Sequence, residues 1–293
     1  MIPTRLSCWR LRWMRRAVGV LVALCGWMPL SVSAQATPGA PDAQPTYVVS
    51  VVPQFSAADI SRTWSPILAR LGQVLGAHFE LKVARDIPSF EADLMAGKPD
   101  FAYMNPFHQV RARRAQGYVP LVRDSTLLTG ILVVRKDDPI RSPRQLEGQS
   151  LAFPAPNAFG ASLLIRAHLA ENERVHIQPV YARTHTNAYR HTLSGKTAAT
   201  GGLRATLERE PPDVQAGLRI LMETPGSAPH PLSAHPRVPV AVRQALQTAW
   251  LQLSQEPALA AAFQDVPMPK PLKADLTRDY LPLERLKLDR YAE

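Results

Sequence analysis

A chain of 293 residues that is 46% hydrophobic and 20% charged has the length for two domains and the composition of an ordinary globular protein. Of its 34 basic and 24 acidic residues, five arginines and no acid lie in residues 1–34, leaving 29 against 24 and a net charge of +5 on the rest, with no concentrated basic stripe of the kind nucleic acid requires. Both cysteines, Cys8 and Cys25, fall in that same stretch, which excludes disulfides, thiolate metal sites and cysteine nucleophiles from residue 35 onward.

Residues 1–34 read as a secretory signal peptide. Arg5, Arg10, Arg12, Arg15 and Arg16 precede an apolar core, Ala17–Met28. That core is shorter than the roughly 20 residues a bilayer span needs, and Val32-Ser33-Ala34 offers small residues for cleavage. The chain is therefore expected to be exported with this leader removed. Residues 35–46, rich in Pro, Ala and Gly, read as a flexible tether.

The fold is expected to begin with a strand at Tyr47–Val52, closed by Pro53. A helix over Ala57–Leu75 follows, with Ile60, Trp64, Ile67, Leu68, Leu71 and Leu75 on one face. Strand His78–Ala84, helix Pro88–Met95 and the short strand Asp100–Met104 complete a βαβαβ order. Asn105-Pro106 reads as an N-cap with proline at the first helical position, leading a helix through Gln116. Strand Tyr118–Val122 comes next, and the apolar run Gly130–Arg135 is expected to cross between two lobes. Ser142–Gly148 reads as one or two helical turns.

Leu151–Arg166, LAFPAPNAFGASLLIR, reads as the end of a buried strand (Ser150–Phe153), a proline-bounded turn and an amphipathic helix capped by Asn157 and running to Glu171. The unpaired N–H groups of such a first turn suit an anion, although an ordinary connection shows the same prolines. The series then repeats: strand Ile177–Tyr181, helix Asn187–Ser194, strand Thr197–Thr200, helix Leu203–Glu210, strand Leu218–Met222. This alternation implies two α/β halves with parallel sheets. The remainder reads as mostly helical, with helices at Val240–Leu253 and Pro257–Phe263 and a leucine-bearing tail.

Ligands of open parallel sheets sit at the carboxyl ends of strands. That rule nominates Gln54 and Phe55; Tyr103, Met104 and Asn105; Asn157, Ala158 and Phe159; Thr184, His185 and Thr186; and Gly201 with Gly202. Their hydroxyl, amide and backbone donors match a small oxyanion. Plainer roles suit several of them equally: Tyr103 and Phe55 as core aromatics, His185 as a surface turn residue, Gly201-Gly202 as a turn. No GxSxG, HExxH or P-loop motif and no strand-end carboxylate pair is present, so no enzyme, no cofactor and no metal site are expected, a His230–His235 zinc pair being too slight to count.

Several segments, taken in order, resemble the PhnD-type periplasmic binding proteins for phosphate, phosphite and phosphonate in ABC transport. They are Trp64-Ser65-Pro66, Asp100 to Pro106, Gly130 to Val134 followed by Lys136-Asp137-Asp138-Pro139, Pro156-Asn157, and Thr184 to Ala188. The resemblance implies a type II periplasmic-binding-protein fold: two parallel-sheet α/β lobes joined by a two-strand hinge, here residues 47–131 with 226–293 as lobe 1 and 132–225 as lobe 2. It implies a non-catalytic, monomeric protein that closes on a small-molecule anion and delivers it to an inner-membrane ABC permease. A subunit serving a membrane histidine kinase is the alternative in which the same capture is used for sensing. Where phosphonate binders carry a run of hydroxyls after the Pro-Asn turn, this chain has Ala158, Phe159, Gly160 and Ala161. Backbone N–H groups and Ser162 are what remains for the oxygens, and the more apolar wall also admits a different, partly apolar molecule.

Overall fold

The computed structural model describes residues 44–292, so the expected leader and the tether up to residue 43 lie outside the described residues. The first half runs β1 (Thr46–Val51), α1 (Ala57–Leu75), β2 (His78–Val83), α2 (Ile87–Met95), β3 (Phe101–Tyr103), α3 (Pro106–Gln116) and β4 (Val119–Asp124). The second contains β5 (Gly130–Arg135), β6 (Ser150–Phe153), α4 (Ile165–His168), β7 (Gln178–Tyr181), α5 (His185–Leu193), β8 (Ala199–Leu203), α6 (Arg204–Leu207), α7 (Pro212–Ala216) and β9 (Leu218–Glu223). The chain then returns through β10 (Pro231–Ala234), α8 (Val240–Leu253), α9 (Ala260–Asp265) and β11 (Pro271–Lys273).

Two sheets result, ordered β11-β4-β10-β3-β1-β2 and β7-β6-β8-β5-β9. Each makes one lobe with the helices laid on it. The sheets are mixed rather than parallel throughout. β1 pairs parallel with β2 and β3, but β10 runs antiparallel between β3 and β4, and β5 runs antiparallel to both β8 and β9. The chain leaves lobe 1 after β4 and re-enters it at β10, so the returning strand faces the other way. Strands of four and three residues that both begin with proline carry no alternation to read, which is why β10 and β11 are absent from the sequence expectation.

The crossings are residues 125–129 and 224–230. They pair once, Leu128 N–H donating to Ser227 O at 2.8 Å and Ser227 N–H to Leu128 O at 2.9 Å. Gly130–Arg135, expected to cross, instead lies wholly in the second sheet as β5. Its first residue must be glycine because a Cβ there would lie 2.2 Å from Gly160 O.

Lobe 1 is centred on aromatics gathered around Trp64, which the α1 periodicity foretells as buried. Trp64 packs 5.1 Å from Tyr103 and 5.6 Å from Trp250, which meets Phe263 edge-on. Lobe 2 buries Leu132, Val134, Leu151, Phe153, Ile165 and Leu169. The helix expected over 157–171 is irregular: wide turns at Phe159–Leu164 and Leu169–Glu173 flank the four residues of α4.

After β11 the chain forms a strap of short turns, Leu276–Tyr280, Leu281–Leu286 and Leu288–Tyr291. Asp279 pairs with Arg123 of β4 at 2.8 Å, and Arg114 of α3 pairs with Glu284 at 3.1 Å. On the other lobe, Tyr291 Oη donates to Glu171 at 2.8 Å. Leu288 lies between Phe107 of lobe 1 and Phe159, Leu163 and Leu164 of lobe 2. No helix among the described residues is long and apolar enough to cross a membrane.

Candidate functional site

A cleft of about 800 Å³ opens between the lobes. One wall is the turn that leaves β1, Pro53–Ala57, and the other is the loop from β7 into α5, Arg183–Asn187. Both walls are made by capped helix starts. Ser56 caps α1 by accepting from Asp59 N–H at 3.1 Å, and Thr184 caps α5 by accepting from Asn187 N–H at 3.1 Å. With Asn187 N–H bound to the cap, the remaining donors of the first turn belong to residues that line the cleft, so the positive dipole end of α5 lies at its wall. Arg183 stands at φ 72°, a left-handed conformation uncommon for a residue with a side chain, directly before the cap.

Five of the nominated residues meet here: Gln54, Phe55, Thr184, His185 and Thr186. Thr186 Oγ1 donates to Glu210 Oε1 at 2.7 Å. His185 is buried with Nδ1 3.3 Å from Thr206 Oγ1, and burial brings its pKa down to about 4, so the ring is neutral at neutral pH. Tyr103 lies deeper. Its ring stacks 5.4 Å from His230 and its Oη donates to Pro267 O at 3.2 Å. It lines a small inner cavity of about 10 Å³, which shares Gln54, Phe55 and Arg209 with the cleft. Burial, with the charge of His185 as a smaller cause, lowers His230 to about 3.

The other nominated residues stand elsewhere. Met104 is fully buried and its N–H donates to Pro231 O at 3.1 Å, tying β3 to the returning chain. Gly201 packs beneath the wide turn of lobe 2, where a Cβ would lie 2.0 Å from Ala161 O. Asn105, Asn157, Ala158 and Phe159 form the closed seam between the lobes. Asn105 caps α3 through His108 N–H at 2.7 Å and donates from Nδ2 to Asn157 O at 3.0 Å, while Asn157 Nδ2 donates to Glu91 Oε2 at 2.7 Å. Arg111 holds the other oxygen of Glu91. Phe159 packs on Phe107, and Ala158 joins the lobe 1 core. The stretch that reads as an anion cradle is thus filled by protein in this structure. Two buried polar atoms beside it, Ser162 Oγ and His108 Nδ1, have no hydrogen-bond partner among the described residues.

Sequence reasoning passed over the charged residues of the cleft: Asp59, Arg62, Arg85, Asp86, Arg183, Arg209, Glu210 and Asp265. Most lie within helices or between short ones, where the strand-end rule does not look. The run Arg62, Asp59, Ser56 at helical spacing was the signal available for one of them. Hydrogen bonds from Ser56 first, and then Arg62, hold the Asp59 carboxyl below the ordinary range. No group of three His, Cys, Asp or Glu side chains among the described residues is placed to hold a metal ion.

Comparison with known proteins agrees with this architecture. A binding protein component of an ABC phosphonate transporter from Pseudomonas aeruginosa superposes with a TM-score of 0.74 at 14% identity, over 85% of this chain and 87% of its own. PhnD1 of Prochlorococcus marinus, solved in complex with methylphosphonate, gives 0.75 at 14% identity over 84% and 98%. A Xanthomonas citri protein solved with ATP bound gives 0.71 at 17% identity over 85% and 100%. These likenesses establish the type II periplasmic-binding-protein fold. No curated protein matches the sequence. The family model described as ABC transporter, phosphonate, periplasmic substrate-binding protein matches residues 49–280; the chain belongs to that family of solute-binding proteins, which serve a membrane permease with a small-molecule ligand.

Proposed function

We propose that this protein clamps a phosphorus oxyanion in the interlobe cleft, between Gln54 and Phe55 of lobe 1 and the α5 start, Thr184, His185 and Thr186, of lobe 2. The observation that carries the reading is the capped α5 N-terminus opening on a cleft whose facing wall belongs to the other lobe. A ligand held there touches both lobes and favours their closed arrangement, which a permease can recognise. A division of the chain at the two crossings, residues 125–129 and 224–230, export with removal of residues 1–34, and action as a monomer go with this reading.

A larger organic phosphate is the second reading, favoured by size. About 800 Å³ falls within the range of sites for drug-sized molecules and exceeds what a single methylphosphonate fills. The ATP-bound Xanthomonas relative shares the fold. Thermal melts of the purified protein against phosphate, phosphite, methylphosphonate, sulfate and ATP separate the two. A ligand at 100 times its Kd should stabilise by about 2.7 kcal/mol. Shifts with the small phosphorus anions support the first reading, and a shift with ATP alone supports the second. A melt unmoved by all five rejects both.

A further inference from the structure

We propose that Arg209 is the charge-pairing arm of the cleft, a lobe 2 side chain that meets the ligand's anionic group and couples its capture to lobe closure. The proposal rests on the oxyanion reading above and adds to it a residue that lies on no strand end. The arginines of the cleft are not equally available. Arg62 is held by Asp59 at 3.1 Å and Asp265 at 3.0 Å, and Arg85 by Asp86 at 3.2 Å. Among the described residues neither Arg183 nor Arg209 forms an ion pair, and of these two it is Arg209 that touches the other lobe. Its Nη2 donates to the backbone oxygen of Asp265 at 2.5 Å, and its guanidinium lies 4.2 Å from the centre of the Phe55 ring.

Those two contacts define a ready but uncommitted cation. A backbone carbonyl uses one of five N–H donors and carries no full charge, and a ring face offers an attraction of about 1 kcal/mol at an exposed site. A planar fork with spare donors is suited to two parallel bonds to a phosphoryl oxygen pair. The neighbouring Glu210 forms no ion pair with Arg209: it is buried, with Oε1 accepting from Thr186 and Oε2 without a partner among the described residues. Asp59, within reach of the Arg209 charge, is already bound by Arg62. The arm also crosses the cleft: Arg209 leaves the loop after α6 in lobe 2, while Phe55 and Asp265 belong to lobe 1. An anion that pairs with it while resting on the α5 start therefore binds best when the lobes are together.

Titration calorimetry of wild type, Arg209→Ala, Arg209→Lys and, outside the cleft, Arg144→Ala with methylphosphonate and with ATP tests this. Arg209→Ala is expected to weaken whichever probe binds by about 10- to 100-fold, the usual scale for a charge-assisted hydrogen bond. Arg209→Lys should recover part of that loss, keeping the charge without the fork, and Arg144→Ala should stay within about twofold. Because Arg209 is exposed, the variants should melt as wild type does. Unchanged affinity in Arg209→Ala, or an equal loss in Arg144→Ala, overturns the proposal and leaves the oxyanion reading intact. Failure of the wild type to bind either probe overturns both.

Discussion

At Gly201 a single methyl group decides how lobe 2 packs. A Cβ would stand 2.0 Å from Ala161 O and 2.7 Å from the Phe153 ring, neither of which is the free end of a flexible side chain. Gly201→Ala is expected to destabilise the protein by about 3 kcal/mol, the upper end of ordinary overpacking. Urea unfolding checks it: the midpoint should fall with the slope unchanged. The strand-end rule nominates Gly201, and paired glycines do admit a close backbone approach. That physical signal is sound, but the backbone that approaches is the chain's own wide turn rather than a ligand. The opposite holds for His185, which sits in a polar run. Its burial comes from Thr206, twenty-one positions away, and local sequence has no access to that contact.

Among the elements, the helices were the most legible. Amphipathic spacing places α1 and α8 at the observed residues and the Asn105 cap places α3, while the helix expected at 187–194 starts two residues later than α5 does. The helical run after Asn157 was legible as a helix but not as wide turns, because its shape follows from the contacts of Gly160 and Ala161 with β5 and β8. The seam was also hidden, since Glu91 and Asn157 are joined only by the closure of two lobes. Asn157→Ala would leave Glu91 Oε2 without that amide, and is expected to cost about 1–3 kcal/mol. Melting temperature measures the loss, and small-angle scattering of the unliganded variant should show a larger radius of gyration. An unchanged radius would mean that the strap alone keeps the lobes together.

For the whole molecule the buried histidines set the response to acid. His108, His185 and His230 are lowered from 6.5 to about 3, about 4 and about 3, chiefly by burial. The unfolded chain therefore takes up these protons first as pH falls, so the stability they confer is complete above pH 6.5 and is lost between 6.5 and about 3 to 4. Asp279 adds loss in the same direction at lower pH. Burial raises its pKa, but hydrogen bonds from Arg278 and Arg123 outweigh burial and hold it well below the ordinary carboxylate range. Melts at pH 7.5 and pH 5 should show a clear fall, with a slope of on the order of 1 kcal/mol per pH unit for each histidine. His230→Gln should make the slope shallower, and equal slopes would show that His230 gains its proton without opening the fold.

The position of β10 has a consequence for how the polypeptide is made. β10 lies between β3 and β4, which do not touch each other in the sheet. Residues 231–234 are therefore the piece that joins the two parts of the first sheet, and they follow the whole of the second sheet in the chain. A thread emerging amino end first can assemble residues 130–223 while its opening strands still wait for their central neighbour. The lobe begun first is finished last, and its early strands need shielding from stray pairing until the end of the thread arrives.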